Sequence, residues 1–431
     1  MNIVKLKDKR QLEEFKEKWQ QRGVIPVEIL KTVLQILADV KEKKDKAIID
    51  YTLRFDAIDL RQVGMEIPKE EMEKAYAESR EIVPVLEEAA RRVATFHAKG
   101  LPQNWFTTDG YGNVLGQKIT AVDKVGVYCP GGKAAYPSTV LMNVIAARVA
   151  GVKEVIMCVP TPRGEICPAV LAAAKIAGAD RVFRIGGAQA IAAMAYGTET
   201  VPKVDFICGP GNIYVAAAKK LVFGEVGIDM IAGPSEIAIV ADGTVSPAWC
   251  AADLLSQAEH DEMASSILIT LSEDYAQMVL KEIEIQLNTL PRGSIAKVAL
   301  EKQGVVFIVP DLKTAVEVAN TIAPEHLELL VADPFALLDR INHAGAIFLG
   351  QFASEPIGDY IAGPNHTLPT GGTARFSSVL SAETFLKRSS VLYISPMGVK
   401  VLGEKAAKLA YTEGLTAHAA SVEQRLKGDK S

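Results

Sequence analysis

From Lys124 onward the chain alternates two textures: short apolar runs, then longer segments whose apolar residues recur every three or four positions. The first is the texture of buried strands, the second of helices with one apolar face. Strands are predicted over 125–129, 152–159, 181–185 and 204–208, with helices over 138–149, 168–177, 188–196 and 212–223. After 224–235 the alternation resumes, with strands over 237–240, 266–271, 305–309 and 346–349 and helices over 247–260, 274–290, 312–322 and 334–342. Strands alternating with helices of roughly 10–15 residues through glycine-bearing turns predict parallel sheets covered by helices. Residues 1–100 differ: their apolar positions keep helical spacing over 10–22, 25–50 and 70–99, among dense Lys and Glu whose faces need only be solvated. Residues 118–123 read as a short strand or crossing segment, and 381–431 as helix with one strand-like piece at 391–394. Residues 353–376 have no period and carry three Pro and four Gly. Loops of that length within a compact domain are usually functional or disordered; Asp359, Asn365, His366 and Arg375 favour function here.

The fold class expected is α/β: two Rossmann-like, mostly parallel-sheet domains lacking GxGxxG, with helical N- and C-terminal extensions. The boundaries expected are a helical arm at 1–24, a discontinuous first α/β domain of 25–123 and 237–380, a second α/β domain of 124–236 inserted into it, and a C-terminal segment of 381–431. At 431 residues the chain exceeds one ordinary core, and 49% hydrophobic residues argue against disorder. A net charge of −5 gives no nucleic-acid footprint. Five cysteines, odd in number and without close pairs, suit a reduced, cytoplasmic protein. The charged N-terminus has no apolar signal core, and no apolar run of about 18 residues predicts a membrane span.

Histidine is scarce, six in all. Gln257 and His260, three apart near the end of the 247–260 helix, share a face. With a loop Asp359 and His418 they would give two nitrogens and two oxygens, a set suited to Zn²⁺. The spacing is equally that of a histidine stabilising a helix C-terminus. Glu325 and His326 after Pro324 offer two titrating groups for proton transfer, or simply the first turn of a helix behind an N1 proline. The turns at Pro130–Gly132, Gly186–Gly187 and Gly209–Asn212 each follow a strand and precede a helix, where backbone amides meet phosphate, or serve only as turns. Cys129 and Cys208 end strands; each is a candidate nucleophile or, in the plainer reading, a small buried apolar residue. His97 and His343 have no polar constellation.

Longer runs carry a resemblance. IDMIAGPSE (228–236) followed by DLLSQAEH (253–260), with YCPGGK (128–133), YPSTVLM (136–142), GPGN (209–212), APEHL (323–327) and GPNHTLPTGG (363–372), resembles the histidinol dehydrogenase family over nearly the whole chain. The resemblance implies NAD-dependent, two-step oxidation of L-histidinol through histidinal to L-histidine, the last step of histidine biosynthesis. It implies one Zn²⁺ per subunit, held by Gln257, His260, Asp359 and His418, which also line the substrate. It implies Glu325 and His326 as the acid–base pair, Ser235, His326, His366 and Glu413 as substrate contacts, and Tyr128, Gln189 and Asn212 as NAD contacts. It further implies a homodimer with shared active sites, the C-terminal segment completing the site with His418 from the partner chain. Cys129 stands where the family tolerates other residues, which weakens the thiol reading. Two rivals fit the same residues: a dehydrogenase of another amino alcohol, and a zinc hydrolase using Glu325 to activate water without a nucleotide.

Overall fold

The structure, a computed structural model, describes residues 1–6, 9–20, 24–131 and 135–427. Residues 21–22 of the first predicted helix, and Gly132 and Lys133 of the turn after Tyr128, lie outside the described residues. Among the described residues the strands in chain order are β1 (Asn2–Lys5), β2 (Glu66–Ile67), β3 (Trp105–Thr108), β4 (Val114–Ala121), β5 (Lys124–Tyr128), β6 (Glu154–Cys158), β7 (Arg181–Phe183), β8 (Phe206–Cys208), β9 (Gly227–Ile228), β10 (Glu236–Ala241), β11 (Ser265–Thr270), β12 (Val305–Ile308), β13 (His326–Leu330), β14 (Ala346–Leu349) and β15 (Leu386–Tyr393). They fall into two compact units, Met1–Gly100 with Asp123–Phe385, and Leu101–Val122 with Leu386–Ser431.

The larger unit holds two sheets. The first has the order β2-β7-β6-β5-β8-β9, parallel except where β2 meets β7. The winding starts at β5, runs outward through β6 and β7, then returns to β8 on the other side. That reversal between β5 and β8 is the switch point at which open α/β sheets bind ligands, beyond the carboxyl ends of their strands. The second sheet, β1-β12-β11-β10-β13-β14, is parallel throughout. Its strands bury both faces: Ile237, Ile239 and Leu268 pack into one core and Ala238, Val240 and Ile267 into the other. Strands covered on both sides need continuous apolar runs, which is why they were legible.

The α/β architecture with mostly parallel sheets is the one the sequence predicts, but some segments pair differently. The sequence predicts one domain of 25–123 with 237–380, yet β2 pairs with β7, and Val33, Ile36 and Val40 of the helix Val27–Lys43 share the first sheet's core with Ile156 and Phe183. An amphipathic stripe tells that a helix covers something apolar, not which sheet it covers. Residues 1–24 are not the arm that their sequence predicts: β1 edges the second sheet beside β12, and Leu12 and Trp19 of the helix Lys9–Gln20 enter that sheet's core.

The smaller unit is an antiparallel sheet, β15-β4-β3, with the helices Pro396–Thr412 and Thr416–Lys427. Ser395 caps the first helix, its Oγ accepting the Gly398 N–H at 2.9 Å. The unit leaves Trp105, Phe106, Leu392, Tyr393 and Leu409 exposed. Among the described residues no helix is long and apolar enough to cross a membrane.

Candidate active site

The chain leaves the first sheet at β9 and enters the second at Glu236, the first residue of β10. There β10 lies beside β13, with Ile237 opposite His326. Glu325 Oε2 accepts the Glu236 N–H at 2.8 Å. His326 Nδ1 lies 3.0 Å from the Glu236 carbonyl oxygen. A carbonyl can only accept, so Nδ1 carries the proton and Nε2 is turned toward Asp359 Oδ2, 3.2 Å away. Asp359 sits in a π-helical turn, Gly358–Ala362, a widened backbone geometry found often at functional sites. Two elements hold that turn. Glu355, just ahead of it, donates its N–H to Glu328 Oε1 of β13 at 2.9 Å and accepts the Ser256 hydroxyl at 3.1 Å. His326, Glu355 and Asp359 each offer a ligand atom, all within 4.8 Å of one another.

Ser256 belongs to the helix Pro247–Ala258, whose last turn carries Gln257. That side chain is fully buried, and neither Oε1 nor Nε2 has a hydrogen-bond partner. His260 follows the helix end; the residue is exposed overall, while its imidazole stands near His326, Asp359 and His366. Arg292 donates to the Glu259 and His260 carbonyls at 2.9 and 3.1 Å, fixing the backbone beneath the imidazole. His366 is half-buried with Nε2 unpartnered. Its loop is tied to the helix Pro137–Val149: Asn365 Nδ2 donates to the Met142 carbonyl at 2.8 Å, and Asn143 Nδ2 to Thr367 Oγ1 at 3.1 Å. Ser235 is half-buried, one residue before Glu236.

Charge gathers in this cluster. Burial pushes the Glu325 carboxyl up to about 8, with the Glu236 charge adding and His326 opposing. Burial pulls the His326 imidazole down, but the Asp359 and Glu325 carboxylates outweigh it and hold it well above its ordinary value. Burial raises Asp359, and the His326 charge and hydrogen bond more than reverse this, leaving it below the usual carboxylate range. Desolvation, then the nearby His326 charge, lowers His260; desolvation also lowers His366. Both imidazoles are therefore biased toward the neutral form that ligates metals. Residue spacing does not single out Glu236, Glu328 and Glu355, although the acid inside HLELL is a signal that strand burial there serves more than packing.

At the carboxyl edge of the first sheet, Tyr128 is buried and its hydroxyl accepts the Gly187 N–H at 3.0 Å. Gln189, buried two residues on, has Oε1 unpartnered. Asn212 is exposed and caps the helix Ile213–Val222, accepting the N–H groups of Tyr214 and Val215. Burial pushes the Cys129 thiol up to about 12 and Cys208 well above its ordinary value, so neither supplies a thiolate at neutral pH. Glu413 and His418 lie in the smaller unit, both exposed, Glu413 ending the helix Pro396–Thr412 and His418 within Thr416–Lys427. The larger unit thus brings Gln257, His260, Asp359, Glu325, His326 and His366 to one region.

Known proteins share this arrangement of chain. The family described as histidinol dehydrogenase matches residues 20–426. A histidinol dehydrogenase of Geobacter sulfurreducens is 54% identical over 402 residues, covering 93% of this chain and 94% of its own. One from Aquifex aeolicus is 55% identical over 421 residues, covering 97% and 98%. The crystal structure of histidinol dehydrogenase from Elizabethkingia anophelis superposes with a TM-score of 0.93 at 37% identity, covering 100% of this chain and 99% of that one.

Proposed function

The chain belongs to the histidinol dehydrogenase family, and from that footing we propose that it performs the NAD-dependent, four-electron oxidation of L-histidinol through L-histidinal to L-histidine, as a zinc-dependent cytoplasmic homodimer. Membership makes it an oxidoreductase of histidine biosynthesis, which sets aside the hydrolase that Glu325 alone left open. For the metal, the carrying observation is Gln257: a fully buried amide with both polar atoms unpartnered is costly unless a ligand meets it. Gln257, His260 and Asp359, with His418 of the partner subunit, would hold one Zn²⁺ per subunit. Two imidazole nitrogens and two oxygens suit that ion.

Bound NAD supplies the hydride acceptor for both oxidations, and bound Zn²⁺ a template for the substrate's imidazole and amine. The chain does the rest. With Asp359 engaged by the metal, the carboxylate that holds His326 protonated would be withdrawn, and the neutral imidazole takes the hydroxyl proton at Nε2 in the first oxidation, its ring fixed by the Nδ1–H bond to the Glu236 carbonyl. Histidinal must then be hydrated before a second hydride can leave. Glu325 removes a proton from that water, and a carboxyl near 8 exchanges protons readily at neutral pH. His326 serves again in the second oxidation. Ser235, His366 and Glu413 contact the substrate, Glu413 offsetting its ammonium, while Tyr128, Gln189 and Asn212 contact NAD.

NADH formation from L-histidinol, before and after chelation and zinc restoration, tests the reading. Four electrons make two hydrides, so two NADH per histidinol are expected, lost with the metal and regained with zinc. No NADH from histidinol with metal present would move the substrate to another amino alcohol.

A further inference from the structure

Asp56 is the last residue of the helix Asp45–Asp56. A carboxylate there meets the negative end of the helix dipole. Its Oδ2 is buried and has no hydrogen-bond partner. Neither the helix nor the packing explains an acid at this place. Its surroundings do point somewhere. A methyl group built onto Gly186 would stand 3.3 Å from Asp56 Oδ2 and 2.5 Å from Pro160 Cβ, and one on Gly131 would stand 3.2 Å from Pro160. Gly131, Pro160 and Gly186 follow β5, β6 and β7, so the acid faces the carboxyl edge of the first sheet, on the side of the switch point away from β9. Two further buried acceptors lack donors there: Gln189 Oε1, 2.8 Å from a methyl built onto Gly187, and the hydroxyl oxygen of Thr161, the residue after Pro160. Burial also holds the Asp56 carboxyl above its ordinary value.

Orphaned acceptors ask for a ligand rich in hydroxyl donors. In the usual dinucleotide-binding sheet, the acid that reads the ribose hydroxyls stands after the second strand of the winding. Here β6 holds that position, and Val159, Pro160 and Thr161 after it supply no carboxylate. We propose that Asp56, reaching the same place from an earlier helix, accepts the hydroxyls of the adenosine ribose of the bound dinucleotide and excludes a cofactor carrying a 2′-phosphate. The assignment rests on the reading that this sheet binds NAD. It makes Asp56 a residue that determines which dinucleotide the sheet accepts.

The test is titration of the full-length protein with NADH and NADPH, followed by nicotinamide fluorescence, for the wild type, Asp56→Asn and Asp56→Ala. Thermal melting of each variant checks that the fold is kept. Wild type is expected to prefer NADH. Asp56→Asn should weaken NADH about tenfold and leave NADPH unchanged or tighter, so that the ratio of affinities falls about tenfold or more; Asp56→Ala should do the same. An unchanged ratio, or parallel loss of both nucleotides, overturns the role of Asp56 while leaving NAD binding in place. A wild type that binds neither nucleotide overturns the cofactor reading and this assignment with it.

Discussion

Gln257 carries an unmet cost: burying an amide without partners is worth about 1–3 kcal/mol against the fold. Gln257→Met fills the same space without polar atoms. The metal-free variant should therefore be at least as stable as wild type in urea unfolding, gaining up to about 2 kcal/mol, while its zinc affinity by chelator competition falls about tenfold or more. A metal-free variant that loses stability would show that the amide already has a protein partner. Glu325 gives a second expectation. Its carboxyl, held near 8 by burial, is protonated below that pH and ionised above it. A base must be ionised, so oxidation of histidinal should rise with pH through about 8. Glu325→Gln should abolish that rise and slow the aldehyde step about 10²–10⁴-fold, with a smaller effect on histidinol. Assays started from histidinol and from histidinal separate the two, and equal turnover at both steps would remove Glu325 from the mechanism. At this scale the sequence exposed rare residue types at suggestive spacings, such as Gln257 with His260. It could not expose Glu236 and Glu355, because common acids acquire meaning only when the fold buries them together.

Elements were legible where burial is symmetric. The runs that became β5, β6, β8, β10 and β11 are apolar between their ends because both of their faces are buried. β13 was missed for the opposite reason: His326 and Glu328 interrupt a strand that is buried along its whole length. β3 and the start of β4 were missed because the small sheet leaves much of their surface to solvent. The turn after β8 shows how a polar pair can fix an element from within. Lys219 and Asp229 form a buried ion pair. Lys219 Nζ donates to the Gly209 carbonyl at 3.0 Å, and Asp229 accepts the Gly209 N–H at 2.9 Å. Gly209 has a φ of +109°, and any side chain there would collide with the Tyr128 carbonyl. Asp229→Asn keeps the shape and strands the lysine charge, so it should cost about 3–5 kcal/mol in urea unfolding. A loss under about 1 kcal/mol would mean that the glycine geometry holds the turn unaided.

For the whole molecule, the question is how many chains make one site. The larger unit gathers Gln257, His260 and Asp359, whereas Glu413 and His418 are exposed on a unit that also leaves Trp105, Phe106, Leu392 and Tyr393 uncovered. Exposed apolar side chains in that number fit the proposed dimer, in which a partner would cover them. In a two-fold dimer each chain would both lend and borrow a histidine. Gln257→Ala and His418→Ala should then each be inactive alone, yet complementary. After unfolding and refolding in equal mixture, half of the dimers contain one chain of each kind. In those dimers one site carries both lesions and the other carries neither. Activity should return to about a quarter of wild type. Mixing without refolding should give nothing until subunits exchange, which separates shared sites from recovery within one chain. A refolded mixture that stays inactive, with dimers confirmed by light scattering, would mean that each chain supplies its own His418, and the dimer would then be an assembly of two complete sites.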